Sequence, residues 1–84
     1  MDGIWIRSQD DGLYRCIGFE PPSKKDYQKM VDEGKPVVIT GVVTLDDKPW
    51  LGWYATKERA VEVLDDIQKH IFNGVHQVYQ MPQE

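Results

Sequence analysis

The chain has 84 residues, a net charge of −4 and a single cysteine. This bounds it to one small domain, residues 1–84, with no internal disulfide. Ten basic residues interspersed among fourteen acidic ones leave no clustered basic face for duplex nucleic acid. A domain of this size buries only roughly 60 to 65% of its unfolded surface and is marginal unless stapled or oligomeric. Cys16, His70 and His76 are too few to build a four-ligand zinc site. No apolar run approaches the roughly 20 residues of a membrane span, and the first residues lack a signal-peptide layout. With its lone thiol, the chain is expected to be a cytoplasmic protein without a metal or cofactor.

Ile4-Trp5-Ile6-Arg7 is rich in strand formers, and Asp10-Asp11-Gly12 follows as a tight-turn signal. Leu13 to Phe19 alternates, with Leu13, Ile17 and Phe19 on one face and Tyr14 and Cys16 on the other. The two runs read as a β-hairpin whose glycine takes the positive φ of the reversal. Pro21-Pro22 ends it. Ser23 and Asp26 form an approximate capping box, while Tyr27, Met30 and Val31 share one face at helical spacing. A short helix over 23–33 is therefore predicted, closed by Gly34 and Pro36. Lys24, Lys25 and Lys29 on its outer side read as a solvated face.

Val37 to Leu45 is the most hydrophobic segment, a β-branched run that suggests an interior strand covered on both faces. Gly41 within it marks a bulge or a close approach by another side chain. Asp46-Asp47-Lys48-Pro49 turns the chain into Trp50-Leu51-Gly52-Trp53-Tyr54, where Trp50 and Tyr54 share strand parity and Trp53 is opposite. The doublets Asp10-Asp11 and Asp46-Asp47 sit at turn tips and read as turn formers, not as paired catalytic carboxylates. Thr56 caps the principal helix, 56–73, and Glu58 suits the positive end of its dipole. Ala60, Val63, Leu64, Ile67 and Ile71 make the apolar stripe that packs on a sheet. Gly74 stops the helix, Val75 to Met81 is a last strand, and Pro82-Gln83-Glu84 is a frayed tail.

The expected fold class is α+β: a four- to five-stranded, mainly antiparallel sheet with helix 56–73 on one face and the short helix 23–33. One long helix covers one face of a sheet. Trp5, Tyr14, Trp50, Trp53, Tyr54 and Tyr79 cannot all lie beneath it. Their excess predicts either a core completed by the short helix or an exposed aromatic patch used for binding or self-association.

No catalytic constellation is present. Cys16 falls in a strand pattern and His70 near a helix end, so a buried thiol and a dipole-stabilised surface histidine are expected; His76 reads as a polar strand residue. Arg7, Ser8, Gln9 and Asp10 form the densest polar cluster next to an aromatic strand. The expected binding determinants are Trp5, Arg7, Gln9 and Trp53, because Trp and Arg bury large surface at low entropy cost and add directed hydrogen bonds.

Two segments resemble a known group: Ile4-Trp5-Ile6-Arg7-Ser8-Gln9-Asp10, and Tyr54-x-Thr56-Lys57-Glu58-Arg59-Ala60-x-Glu62-Val63-Leu64-Asp65-x-Ile67-Gln68. Together with Met81-Pro82 they make the chain similar to small uncharacterised proteins encoded by phages and prophages of Gram-positive bacteria. The likeness covers about half of the chain, and Pro21 to Pro36 departs from it. That group has no activity to carry over, so no residue gains a catalytic role. What the resemblance implies is a small factor acting in the host cytoplasm by binding a host protein or a small signalling molecule, for instance in countering antiviral defence. The expected function is therefore non-covalent binding by a homo-oligomeric, non-enzymatic protein. A self-assembling virion or structural component is the alternative, and an enzyme a more distant one.

Overall fold

The computed structural model describes residues 3–74 and 77–84. Its elements are β1 (Ile4–Arg7), β2 (Leu13–Cys16), β3 (Gly18–Phe19), β4 (Ser23–Lys24), α1 (Gln28–Asp32), β5 (Val37–Val42), β6 (Trp50–Tyr54), α2 (Lys57–Phe72) and β7 (Tyr79–Gln80). The fold is α+β and mainly antiparallel, with its strands divided between a three-stranded sheet, β2-β1-β7, and a four-stranded sheet built around β5.

The hairpin forms as the strand propensities require, with β1 and β2 paired from Ile4↔Cys16 to Arg7↔Leu13. Its positive φ of 68° falls on Asp11, not on the glycine. A short polar side chain tolerates that region. Gly12 serves space instead, since a Cβ there would run into the Tyr14 ring and Ser8 Oγ. Leu13 to Phe19 does not continue as one strand. It breaks at Ile17, and β3 crosses to pair with Val42 and Gly41 of β5. Tyr14 and Cys16 face the core, Leu13 and Ile17 stay exposed, and Phe19 packs on the core from beyond the break.

Ser23 does not cap a helix. It pairs with Val38, and Lys24 with Val37, along the edge of β5 opposite β6. Ladder pairing satisfies more backbone donors and acceptors than one cap bond, so α1 begins only at Gln28, with no side-chain cap. It ends as expected: Gly34 has φ 72°, its N–H donates to the Val31 carbonyl, and Lys35 N–H donates to that of Met30. These are the paired bonds of a Schellman motif.

The β5–β6 ladder is where simple alternation fails. Its register runs Val37↔Tyr54, Val38↔Trp53, Ile39↔Gly52 and then Thr40↔Trp50, so Leu51 is the extra residue of a bulge. One inserted residue reverses strand parity. Trp50 consequently joins Trp53 on the face opposite Tyr54, correcting the parity expected from the sequence. Gly41 is a point of close approach, as expected. A Cβ there would stand 2.8 Å from both Cys16 Sγ and Leu51 Cδ1.

α2 covers the other face. Thr56 Oγ1 accepts from Arg59 N–H at 3.1 Å, and Gly74 follows the helix at φ 65°. Ala60, Val63 and Ile67 are buried, while Leu64 and Ile71 are partly so. They share one core with Ile6, Cys16, Ile39, Leu51, Tyr54, Tyr79 and Met81, drawn from both sheets. The chain then returns as β7, parallel to β1 through Ile6↔Tyr79 and Arg7↔Gln80. Val75 and His76, the expected start of that strand, lie outside the described residues.

The tail is not frayed. The Pro82 carbonyl accepts from Tyr54 Oη at 2.9 Å and Gln9 Nε2 at 2.7 Å, and the Gln83 carbonyl from Lys35 Nζ at 2.8 Å. A buried tyrosine hydroxyl requires an acceptor, and the tail supplies it. Among the described residues no helix is long and apolar enough to cross a membrane.

Candidate functional site

The bulge at Leu51 gives the face away from α2 its character. Val38 is fully buried there and Thr40 nearly so, while their ladder partners Trp53 and Trp50 are only half-buried. Above them lies α1, five residues long, contributing buried Met30 and, from its N-cap, Tyr27. So short a helix cannot cover two indoles. The space left is a cleft of about 400 Å³ lined by Tyr27, Lys29, Met30, Glu33, Trp50 and Trp53.

Its rings form walls at differing angles. Tyr27 and Trp50 have centroids 5.7 Å apart and are tilted by 40°; Trp50 and Trp53 are 6.5 Å apart and nearly perpendicular at 76°. Both are favourable aromatic geometries. Lys25 Nζ stands 5.7 Å from the Trp50 ring centroid, within cation–π range. The cleft combines apolar faces with a small number of charged groups, the usual make-up of a ligand site.

Of the four expected determinants, only Trp53 lines this cleft. Gln9 instead holds the cleft's floor in place. Its N–H donates to the Leu51 carbonyl at 2.9 Å, across the bulge. Its side-chain Oε1 accepts from Trp53 N–H at 2.7 Å, and Nε2 donates to the carbonyls of Trp53 at 3.1 Å and Pro82 at 2.7 Å. With every side-chain hydrogen-bonding group engaged, Gln9 is a positioning residue.

Trp5 and Arg7 sit elsewhere, on the face of β1 opposite buried Ile6. Trp5 is 46% exposed and pairs with Arg15; Arg7 pairs with Leu13 and donates from Nη1 to the Asp11 carbonyl at 3.0 Å. The polar cluster beside them is engaged in the hairpin turn: the Ser8 hydroxyl donates to Asp10 and accepts from Gly12 N–H.

Cys16 is buried in the core. Burial, helped by the Asp47 carboxylate, pushes its thiol up to about 11, so it is protonated near neutrality and unsuited to nucleophilic attack. His70 Nε2 lies 2.8 Å from the Gln77 carbonyl, which can only accept, so that nitrogen carries a proton. Its ring packs edge-on against Tyr79, whose hydroxyl donates to Asp66 at 2.6 Å. Among the described residues no three metal-ligating side chains are grouped to hold an ion.

Tyr27, Lys29, Met30, Glu33 and Trp50 were not among the expected site residues. The signal was present in part, since Tyr27 and Met30 share a helical face. What periodicity could not show is that this face meets Trp50, because that contact depends on the bulge. Comparison with protein-family models, curated proteins and solved structures finds no match to this chain.

Proposed function

We propose that the chain is a non-enzymatic, phage-derived binding protein that captures a factor of its host cytoplasm non-covalently through the Tyr27–Trp50–Trp53 cleft. One observation carries this reading: two indoles and a phenol line a concave cleft roofed by only five helical residues. Groups of this kind dominate binding energy because they bury large surfaces at small entropic cost. The condition of Cys16 and His70, both engaged in packing, supports a role without covalent chemistry. The resemblance carried by residues 4–10 and 54–68 supports the phage context, and the cleft is built largely by the stretch that departs from it. The test is recovery of the tagged protein from infected host cells, with bound proteins and small molecules identified by mass spectrometry. Trp53→Ala should lose the bound factor while Cys16→Ala keeps it. Equal recovery by wild type and Trp53→Ala would exclude the cleft.

A second reading, self-association, is favoured by a separate feature. The outer face of the β2-β1-β7 sheet exposes Trp5 at 46% and Leu13 at 45%, and Val78, immediately before β7, is 46% exposed. Apolar residues gathered on one uncovered face are characteristic of subunit contacts. Light scattering tests it: a particle larger than 9.8 kDa is expected, reverting to monomer in Trp5→Ser.

A further inference from the structure

We infer that the cleft takes a nucleotide: a base lying on the tryptophan faces, with its phosphate held by Lys25 and Lys29. This rests on reading the cleft as a binding site and names the chemistry of its guest.

The rings suit a nucleobase. Any nucleobase presents a π-face, and stacking on Trp or Tyr is tolerant of base identity, worth about 1–3 kcal/mol per base. Tyr27 is 60% exposed, and Trp50 and Trp53, though half-buried, still line the cleft, so aromatic surface remains available to a flat guest. A cleft near 400 Å³ falls within the range of about 300 to 1,000 Å³ typical of small-molecule sites.

The charges suit a phosphate. The chain carries a net −4, yet ammonium groups gather at this cleft. Lys29 lines it, and Lys25 stands over Trp50. Among the described residues the ion pairs are Lys48 with Glu20 and Arg59 with Glu62, so neither cleft lysine has a carboxylate within 4.0 Å. Lys29 in α1 and Glu33 at its C-cap are four residues apart and still do not close a pair, which leaves the ammonium available to an anion and the carboxylate available to an amino or hydroxyl donor. A quaternary ammonium guest would meet repulsion from both lysines. A neutral proline-rich peptide would use the rings and leave the lysines idle. A nucleotide uses rings and lysines together. With no glycine-rich loop to cradle it, the phosphate is recognised by lysine point charges alone, so binding is strongly salt-dependent.

The same chemistry arises from a free nucleotide or from one residue of a single strand. The test is a titration of the full chain, read by tryptophan emission, with adenosine monophosphate, adenosine, ribose 5-phosphate, choline and a short oligoadenylate. Adenosine monophosphate should quench saturably, adenosine about tenfold more weakly, and ribose 5-phosphate and choline not at all. Lys25→Ala/Lys29→Ala should weaken the monophosphate about tenfold and leave adenosine unchanged. Tighter binding of the oligoadenylate would identify a strand as the source, and a tighter monophosphate a free nucleotide. Saturable quenching by choline, equal affinity for adenosine and its monophosphate, or no response to any nucleotide at millimolar concentration overturns the inference. If nucleotides fail while Trp53→Ala still loses a host factor, the nucleotide falls and the cleft stands. If nucleotides bind Trp53→Ala and Trp50→Ala as well as wild type, both fall.

Discussion

The side-chain amide of Gln9 pairs with both backbone groups of Trp53, accepting from its N–H at 2.7 Å and donating to its carbonyl at 3.1 Å. It occupies the edge of β6 as a neighbouring strand would. Because Gln9 N–H also bonds the Leu51 carbonyl, one residue spans the bulge that turns Trp50 and Trp53 to the same side.

Replacing Gln9 should therefore cost stability out of proportion to its size. Gln9→Leu leaves the Trp53 N–H and carbonyl without partners, and each orphaned group costs about 1–3 kcal/mol where water is excluded. A total loss of about 2–4 kcal/mol in urea unfolding is expected, against about 1 kcal/mol or less for Arg7→Ala, whose bond to Asp11 is exposed.

Helix α2 gives a graded series. Ile67 is 1% exposed and Leu64 only partly buried. Ile67→Ala should cost about 2–5 kcal/mol, Leu64→Ala less, and Glu62→Ala close to zero. Equal shifts of the urea midpoint for Ile67→Ala and Glu62→Ala would show the helix face to be misassigned.

Gly41 offers a coupled test. Gly41→Ala forces a methyl against Cys16 Sγ and Leu51 Cδ1 and should destabilise by about 1–3 kcal/mol through overpacking. Adding Cys16→Ala removes the sulfur in the way, so the double variant should lose less than the sum of the singles. Strict additivity would show that the two side chains do not meet.

Much of the fold is legible in the sequence, and the features that are not share a physical cause. Thr56, the Ala60–Val63–Ile67 stripe and Gly34 act through bonds three to five residues apart, so local spacing exposes them. Gly41 was legible as a glycine inside a β-branched strand. The Leu51 bulge was not, because it is settled by Gln9, more than forty residues away. Ser23 was drawn from a cap into the β5 ladder, and the tail was ordered by Tyr54 and Gln9; these are long-range bonds with no local mark. The aromatic excess predicted a second face but not which rings would share it.

Stability should fall in alkali. Burial raises Cys16 from 9.0 to about 11 and Tyr54 from 10.0 to about 12, so the folded chain holds these protons more tightly than the unfolded one. Their contribution is complete below pH 9 and is lost as pH climbs through about 11 and then about 12. Urea midpoints should decline over that interval, and Cys16→Ala should flatten its lower part. A midpoint rising with pH there would contradict the burial of both groups.

The most direct measurement of the central claim is capture of the host factor by four folded variants side by side: Trp53→Ala, Trp5→Ala, Arg7→Ala and Cys16→Ala. Circular dichroism must first show each to be native. The account predicts that Trp53→Ala alone loses the factor. Loss in Cys16→Ala with retention in Trp53→Ala would contradict it and point to thiol chemistry instead.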